Sequence, residues 1–298
     1  MKNKRLVIIA LFFTLVFSSF SSFLFGGTAS AATPSFLLDT KKLYTYSAYH
    51  KNNSRDKEYF TAYFIGKMNN GDLWTYQGIG FFSNQIFKQD SQGLKIEDLL
   101  DNLSVIEIAF PLTVGTKWKS GDSTYTLLSV NQTVKTPAGT FKCIVIDNGT
   151  GDGISYYAPG VGLVKYEHNT GDITELTSIK TSHYGRVLIK QNGTKLYSPK
   201  GAVHRTLKKG EGLKVFKENS SSFDVGGGYY VKKDKNTLFY TGFIYGTEGP
   251  ISVYSPNGTL FKKIPIHEAI RVYNFNNGKF EVGGGYYVPA DGHILYER

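Results

Sequence analysis

Short runs of alternating apolar and polar residues, separated by turn sequences, cover most of the chain after residue 31. Leu43 to Tyr49, Tyr59 to Ile65 and Phe141 to Ile146 are examples of such β-type runs. Asn-, Gly- and Asp-rich sequences punctuate them, as at Asn69-Asn70-Gly71-Asp72. The pattern predicts a mainly β protein, with an antiparallel β-meander or half-barrel as its N-terminal domain.

One segment of this N-terminal domain departs from the strand pattern. Between Lys95 and Leu103 the apolar residues Ile96, Leu99, Leu100 and Leu103 follow the spacing of a helical face. A short helix is therefore predicted there.

The last third of the chain contains one unit twice. Lys195 to Tyr240 aligns without a gap to Ser252 to Glu297 at an offset of 57, and 17 of the 46 positions are identical. The identical positions include a Tyr-Ser-Pro-x-Gly sequence, beginning at Tyr197 and Tyr254, and a Val-Gly-Gly-Gly-Tyr-Tyr-Val run. Such self-similarity indicates one structural unit built twice.

Each copy is predicted to be a small β-barrel. Units of under about 60 residues with short strands and Gly-rich corners gain from closure, because a closed sheet has no exposed edges. We expect barrels at residues 186–244 and 245–298. They follow a β-rich N-terminal domain at residues 32–185 and a signal peptide at residues 1–31.

The first residues predict export. Lys2, Lys4 and Arg5 precede an apolar stretch from Leu6 to Phe17, and the small residues Ala29-Ser30-Ala31 suit a signal peptidase. We expect cleavage after Ala31. The alternative is that the apolar stretch stays as a membrane anchor. No other segment is apolar enough to span a bilayer, so the predicted protein is secreted, without a stable membrane span after cleavage.

The two copies resemble the Src-homology-3-like and S-layer-type repeats that Gram-positive bacteria append to wall-associated proteins. The resemblance rests on the Tyr-Ser-Pro-x-Gly opening, the strands Leu213 to Phe216 and Ile270 to Tyr273, and the Gly-Gly-Gly-Tyr-Tyr-Val strand. It implies attachment to wall glycan or to an anionic wall polymer. No binding residue carries over from these divergent families.

The middle of the chain has a resemblance of its own. Phe110 to Trp118, Thr136 to Phe141 and Tyr156 to Lys165 look like a secreted bacterial β-domain of unassigned function. Relatives with curved sheets or half-barrels imply room for an apolar ligand in this domain.

Positive charge is concentrated in the first repeat. The formal net charge of the whole chain is +10; Lys195 to Ile244 has ten basic and four acidic residues, whereas Tyr245 to Arg298 has five of each. A basic surface outside a cell attracts polyanions, and salt weakens that attraction. The alternative is a solvated surface that only improves solubility. The basic candidates for ligand binding are Arg205, Lys208, Lys209, Lys232, Lys233 and Lys235.

The tyrosine pairs after the triple glycines are the second group of candidates. Strand alternation sends one ring of each pair inward and one outward, where it can stack on a sugar or peptide. The alternative is core packing. The candidates are Tyr229 and Tyr230 in the first copy, and Tyr286 and Tyr287 in the second. Neither glycine run has the Lys-Ser/Thr of a phosphate loop, so we expect a bulge or a close backbone approach.

No catalytic constellation is recognisable. Cys143 alternates with Phe141 and Val145 on one side of a predicted strand, which is typical of a buried thiol rather than a nucleophile. The histidines lack the spacing of a zinc site, and Asp147 and Asp152 do not follow a calcium loop. We predict no enzymatic activity, no metal and no cofactor.

The leading hypothesis is a cell-envelope-associated binding or accessory protein whose C-terminal repeats hold wall polymer. Nucleic acid is not expected as a ligand, since the basic residues do not form a known nucleic-acid module. A carrier of a lipid or other apolar ligand in the N-terminal domain is the alternative. A secreted wall hydrolase is a third possibility.

Overall fold

The structure is a computed structural model that describes residues 33–298. The predicted signal peptide, residues 1–31, lies outside the described residues. Residues 33–298 form strands, turns and loops without a helix, so the predicted mainly β fold class is confirmed.

Twelve strands form one antiparallel sheet in the N-terminal part. They are β1 (Lys42–His50), β2 (Glu58–Met68), β3 (Gly71–Gly78), β4 (Phe81–Asp90), β5 (Gly93–Asp98), β6 (Ser104–Ala109), β7 (Lys117–Ser120), β8 (Ser123–Thr136), β9 (Gly139–Asp147), β10 (Gly153–Ala158), β11 (Gly162–His168) and β12 (Asp172–Thr181). Their spatial order is β6-β5-β4-β3-β2-β1-β12-β11-β10-β9-β8-β7. All neighbours except β1 and β12 are consecutive in the chain, as expected of the predicted meander.

The sheet curves until its two edge strands, β6 and β7, come close together and nearly close it. The indole N–H of Trp118 on β7 donates a hydrogen bond of 2.8 Å to the carbonyl oxygen of Ile106 on β6. A side chain thus bridges the seam where the backbone ladder is interrupted.

Strands β2 to β4 are buried on both faces. Ala62, Trp74 and Phe87 point into the curved sheet and belong to its core. Tyr63 and Leu73 point the other way and are also buried, because the second repeat packs on this outer face. The N-terminal sheet and the second repeat therefore share a hydrophobic core.

The helix predicted between Lys95 and Leu103 is wrong. Residues 93–98 form β5, which pairs with β4 and β6, and a turn follows it. Ile96 packs towards the interior of the sheet, whereas Leu100 and Leu103 are exposed in and just after the turn. Pairing on both sides outweighed the local helical spacing.

The C-terminal part repeats one arrangement of eight strands. The first copy has β13 (Gly185–Ile189), β14 (Thr194–Tyr197), β15 (Val203–Leu207), β16 (Gly212–Val215), β17 (Lys217–Glu218), β18 (Ser222–Asp224), β19 (Tyr230–Lys232) and β20 (Thr237–Tyr240). The second has β21 (Gly242–Gly246), β22 (Ile251–Tyr254), β23 (Leu260–Ile264), β24 (Ile270–Val272), β25 (Asn274–Asn276), β26 (Lys279–Gly283), β27 (Tyr286–Pro289) and β28 (Ile294–Glu297).

Each copy consists of a three-stranded and a five-stranded sheet in the same order. The first copy has β16-β13-β20 and β15-β14-β19-β18-β17, and the second repeats this with the equivalent strands. In the first copy Val187 and Val215 of the smaller sheet pack with Leu196 and Val231 of the larger one. Two sheets around one small core form each repeat.

The junction between the copies differs from the expected one. The predicted boundary between residues 244 and 245 falls inside β21, and the structural repeat changes at Thr241, between β20 and β21. Gly185 and Gly242 begin the equivalent first strands, but these strands share little else in sequence. Sequence alignment therefore detected the repeat only from its second strand onward.

Candidate functional site

Two tyrosine rings stack on the outer face of the five-stranded sheet of the first repeat. Tyr197 on β14 and Tyr230 on β19 are neighbours in the ladder, and their ring centroids are 5.2 Å apart at an interplanar angle of 15°. The alternate residues Leu196 and Val231 point into the core. Both tyrosines are partly exposed and form a flat aromatic surface.

Two lysines lie beside this surface. Lys195 and Lys232 are opposite each other in the ladder and share the sheet face of the tyrosines, since the Leu196–Val231 pair separates them from the Tyr197–Tyr230 pair. The Lys232 ammonium lies 5.2 Å from the centroid of Tyr197, and that of Lys195 donates a hydrogen bond of 2.9 Å to Thr206. We call Lys195, Tyr197, Tyr230 and Lys232 the tyrosine face.

The triple glycine forms the turn that delivers Tyr230 to this face. Gly226, Gly227 and Gly228 all have positive φ, at 110°, 60° and 78°. Residues with a side chain rarely adopt this backbone conformation, so glycine is needed at all three positions. A Cβ on Gly228 would also press on the ring of Pro199. The glycine run thus serves a tight turn rather than a phosphate loop.

The other predicted tyrosine of the first copy lies elsewhere. Tyr229 packs edge-on against His204, with ring centroids 4.8 Å apart, and also contacts the core of the repeat. Within each pair, therefore, the second tyrosine belongs to the exposed sheet face and the first packs beside it.

Two of the six predicted basic residues are held in ion pairs. Arg205 lies 2.8 Å from Glu211, and Lys233 lies 2.5 Å from Glu218. Lys232 belongs to the tyrosine face. The remaining three, Lys208, Lys209 and Lys235, are at one end of the repeat.

That end is formed by three loops held together by hydrogen bonds. The backbone N–H of Lys190 donates to the carbonyl of Asn236 at 2.7 Å, and that of Lys209 donates to the Asn192 side chain at 2.7 Å. Lys190, Lys208, Lys209 and Lys235 are exposed there, and no ion pair involves them within residues 33–298. We call these four residues the basic end.

The second repeat keeps the tyrosines but lacks most of these lysines. Tyr254 and Tyr287 stack with centroids 5.8 Å apart, and Tyr286 packs against Phe261. Ser252 and Pro289 occupy the positions of Lys195 and Lys232. The basic end is replaced by Thr247, Pro265, Ile266 and Gly292.

The N-terminal sheet encloses a second candidate site, a cavity of about 450 Å³. Its walls are mostly aromatic and aliphatic, and its mouth opens near the exposed side chains of Phe81 and Leu103. The aromatic rings that line it are Phe36, Tyr46, Phe60, Tyr76, Phe81, Phe87 and Tyr157. A volume of this size is typical of small-molecule sites.

A carboxyl group lies inside this apolar cavity. In the ladder between β5 and β6, Lys95 pairs with Ile106 and Leu94 with Ile108, so Glu107 is an unpaired extra residue. Strand alternation from Val105 places Glu107 on the cavity side, and the bulge lets Ile108 face inward as well. Glu107 accepts a hydrogen bond of 2.8 Å from the Tyr157 hydroxyl. Burial raises the pKa of Glu107 above its usual range, although the Tyr157 hydrogen bond opposes this.

Two further carboxylates lie towards the mouth. Asp98, at the end of β5, accepts a hydrogen bond of 2.8 Å from Ser83 on β4, and Asp101 follows in the exposed turn. Of the residues between 33 and 298 that line the cavity, none is Lys, Arg or His. The cavity therefore combines aromatic walls with negative charge.

The one cysteine of the chain is buried. The Cys143 side chain is 1% exposed, and burial raises the pKa of its thiol to about 11. Residues 33–298 contain no cluster of three or more potential metal ligands. Over the same residues, the search for a helix long and apolar enough to cross a membrane found none.

Comparisons of the chain with protein-family models, curated proteins and solved structures gave no match.

Sequence reasoning missed Tyr197, Tyr254, Lys195 and Glu107. The first two are identical in the aligned repeats, so a signal for them was present in the Tyr-Ser-Pro-x-Gly sequence. Glu107 gave no such signal, because only the strand register shows which face of β6 lines the cavity.

Proposed function

We propose that this chain is an exported, non-enzymatic binding protein whose first repeat holds an anionic polymer of the cell wall. The observation that carries the proposal is the tyrosine face, where two stacked rings lie beside Lys195 and Lys232 on an exposed sheet surface.

The chemistry of this face suits a charged glycan or a polyol phosphate. Flat aromatic rings bind the apolar faces of sugars, and ammonium groups attract phosphates or carboxylates along the polymer. The basic end adds four exposed positive charges at one end of the same repeat. Both surfaces belong to the first copy, which also has most of the excess charge.

The test is co-sedimentation of residues 32–298 with purified Gram-positive cell walls at low and high salt. We expect binding at low salt that falls steeply as salt screens the lysines. Replacing both Lys195 and Lys232 with Ala should weaken it by about tenfold or more, because each lysine near a polyanion contributes on the order of 1 kcal/mol.

The repeat supplies a matched control for the aromatic contact. Tyr230→Ala should weaken binding. Tyr287→Ala should have a smaller effect, because Ser252 and Pro289 replace both lysines of the tyrosine face in the second copy. Within residues 33–298, only Lys279, 4.2 Å from the centroid of the Tyr287 ring, lies over that pair. Absence of wall binding at both salt concentrations, or equal losses from the two tyrosine variants, contradicts the proposal.

A second function is favoured by a separate observation. The aromatic cavity of the N-terminal sheet has the size of a small-molecule site and an open mouth. We propose that this sheet carries an apolar ligand, as the alternative hypothesis expects. Native mass spectrometry of gently purified protein should then detect bound mass, which denaturation releases.

A further inference from the structure

We infer that the cavity of the N-terminal sheet takes a small amphiphile with an apolar body and a cationic end, and that the cation lies beside Glu107. The inference rests on the proposed carrier function and adds the chemical class of the ligand.

The walls account for the apolar body. Tyr46 and Phe60 stack at 5.2 Å, and Phe81 meets Phe60 edge-on at 5.5 Å, so one side of the cavity is a continuous aromatic surface. Leu94 and Ile96 on β5 extend the wall with aliphatic side chains. Burial of an alkyl chain against such walls is favourable in proportion to the area removed from water.

The charges account for the cationic end. Glu107, Asp98 and Asp101 are all among the lining residues, and none of the lining residues in the described part of the chain is basic. Within residues 33–298, one oxygen of Glu107 accepts the Tyr157 hydroxyl and the other has no hydrogen-bond donor. A carboxylate in apolar surroundings is costly without a partner, and a cationic ligand supplies one.

The aromatic rings around Glu107 favour an ammonium group in particular. Tyr157 donates to Glu107, and Tyr76 lines the same cavity. Alkylammonium ions bind well to the faces of Tyr rings, and a nearby carboxylate strengthens the attraction. An anionic amphiphile such as a fatty acid would instead meet three carboxylates with no counter-charge, which is unfavourable.

The strand register of β6 supports this assignment. Strand alternation from Val105 turns Ile106 outward and places Glu107 on the inner face. The extra residue lets Ile108 face the interior as well, so Glu107 and Ile108 are consecutive residues on the inner side. The ladder is interrupted where the carboxyl group enters the cavity.

The experiment is isothermal titration of residues 32–298 with three probes of equal chain length, each below its micelle concentration. The probes are octyltrimethylammonium, octanoate and 1-octanol. We expect octyltrimethylammonium to bind at least about tenfold more tightly than octanoate, because the same three carboxylates attract one and repel the other.

Two variants locate the site. Glu107→Gln keeps the shape of the side chain and should reduce the preference for the cationic probe to less than about threefold. Val105→Trp should fill part of the cavity and weaken all three probes, with folding checked by thermal unfolding. Glu268→Gln, the same charge change at an exposed position of the second repeat, is the control and should leave binding unchanged.

The outcomes separate the class of ligand from the carrier function. If octanoate binds as tightly as octyltrimethylammonium, or if Glu107→Gln leaves the preference intact, the inference fails while the carrier function stands. If none of the probes binds and no mass is found on the purified protein, both fail.

Discussion

The two repeats have the same strand order but opposite surroundings. The second lies against the N-terminal sheet and shares its core with Tyr63, Ile65, Leu73 and Ile86, whereas the core of the first is made of its own residues. Phe275 of the second repeat packs where a side chain at Gly66 would overlap its ring.

The residues at equivalent positions of the two copies explain why only the second packs against the N-terminal sheet. Phe275 and Ala290 of the second repeat, both in the shared core, correspond to Glu218 and Lys233 of the first, which form an ion pair at 2.5 Å. The same fold thus has an apolar docking surface in one copy and a charged, solvated surface in the other. One copy is therefore part of the scaffold, whereas the equivalent surface of the other copy faces solvent.

Replacing the equivalent core phenylalanine of each copy should give the largest difference in unfolding free energy between the two repeats. Phe280→Ala should lower the free energy of unfolding reported by Trp fluorescence by about 3–5 kcal/mol, because it leaves a cavity in the shared core. Phe223→Ala, the equivalent change, should lower the same quantity by less than about 1 kcal/mol. Both tryptophans, Trp74 and Trp118, lie in the N-terminal sheet and report its unfolding. Equal losses of unfolding free energy in urea denaturation would show that both copies contribute to the stability of the N-terminal sheet to the same extent.

Exchange of the docking residues should have a somewhat smaller effect. Phe275→Glu combined with Ala290→Lys puts the ion pair of the first repeat into the shared core, and we expect a loss of about 2–4 kcal/mol in urea denaturation. The reciprocal exchange, Glu218→Phe with Lys233→Ala, removes only a surface ion pair and should change stability by less than about 1 kcal/mol. A large loss from the reciprocal exchange would mean that the first repeat also depends on this surface for folding.

The smallest expected effect concerns His183, just before the first repeat. Burial and the nearby charges of Arg298, Lys214 and Arg186 lower the pKa of His183 to about 4. Because this folded-state pKa is depressed, its contribution to stability is present above pH 6.5 and is lost as the pH falls through about 4.

The full shift of His183 corresponds to about 3 kcal/mol, and we expect about half of it because the ring is partly exposed. His183→Gln, which does not titrate, should remove this component. The measurement is the difference in unfolding free energy between the native protein and the variant at pH 7 and at pH 4. A difference that does not change with pH would argue that His183 titrates normally.

The sequence predicted the repeated unit, because both copies keep the same positive-φ glycines and the same alternation of apolar residues, and these identical positions align at one constant offset. It predicted the meander for a related reason, since hairpins are joined by local turns such as Asn69-Asn70, whose φ values are 50° and 62°. Docking of the second repeat was missed, although the consecutive apolar residues from Ala62 to Ile65 indicate a strand buried on both faces.

The rest depended on tertiary structure. The spacing of Ile96, Leu99, Leu100 and Leu103 favours a helix locally, and only pairing with β4 and β6 makes the first part of it a strand. Both the aromatic cavity and the tyrosine face combine residues from several strands. Lys195 and Lys232 come together through a ladder whose register the sequence does not reveal.

The strand order of the large sheet has a consequence for how the chain folds. Strands β1 to β6 and β7 to β12 are two runs of consecutive hairpins, each of which can form from contacts close in sequence. The ladder between β1 and β12, from Lys42 with Thr181 to His50 with Asp172, joins them. This pairing closes the longest loop of the sheet, so it carries the largest entropic cost and is expected to set the folding rate.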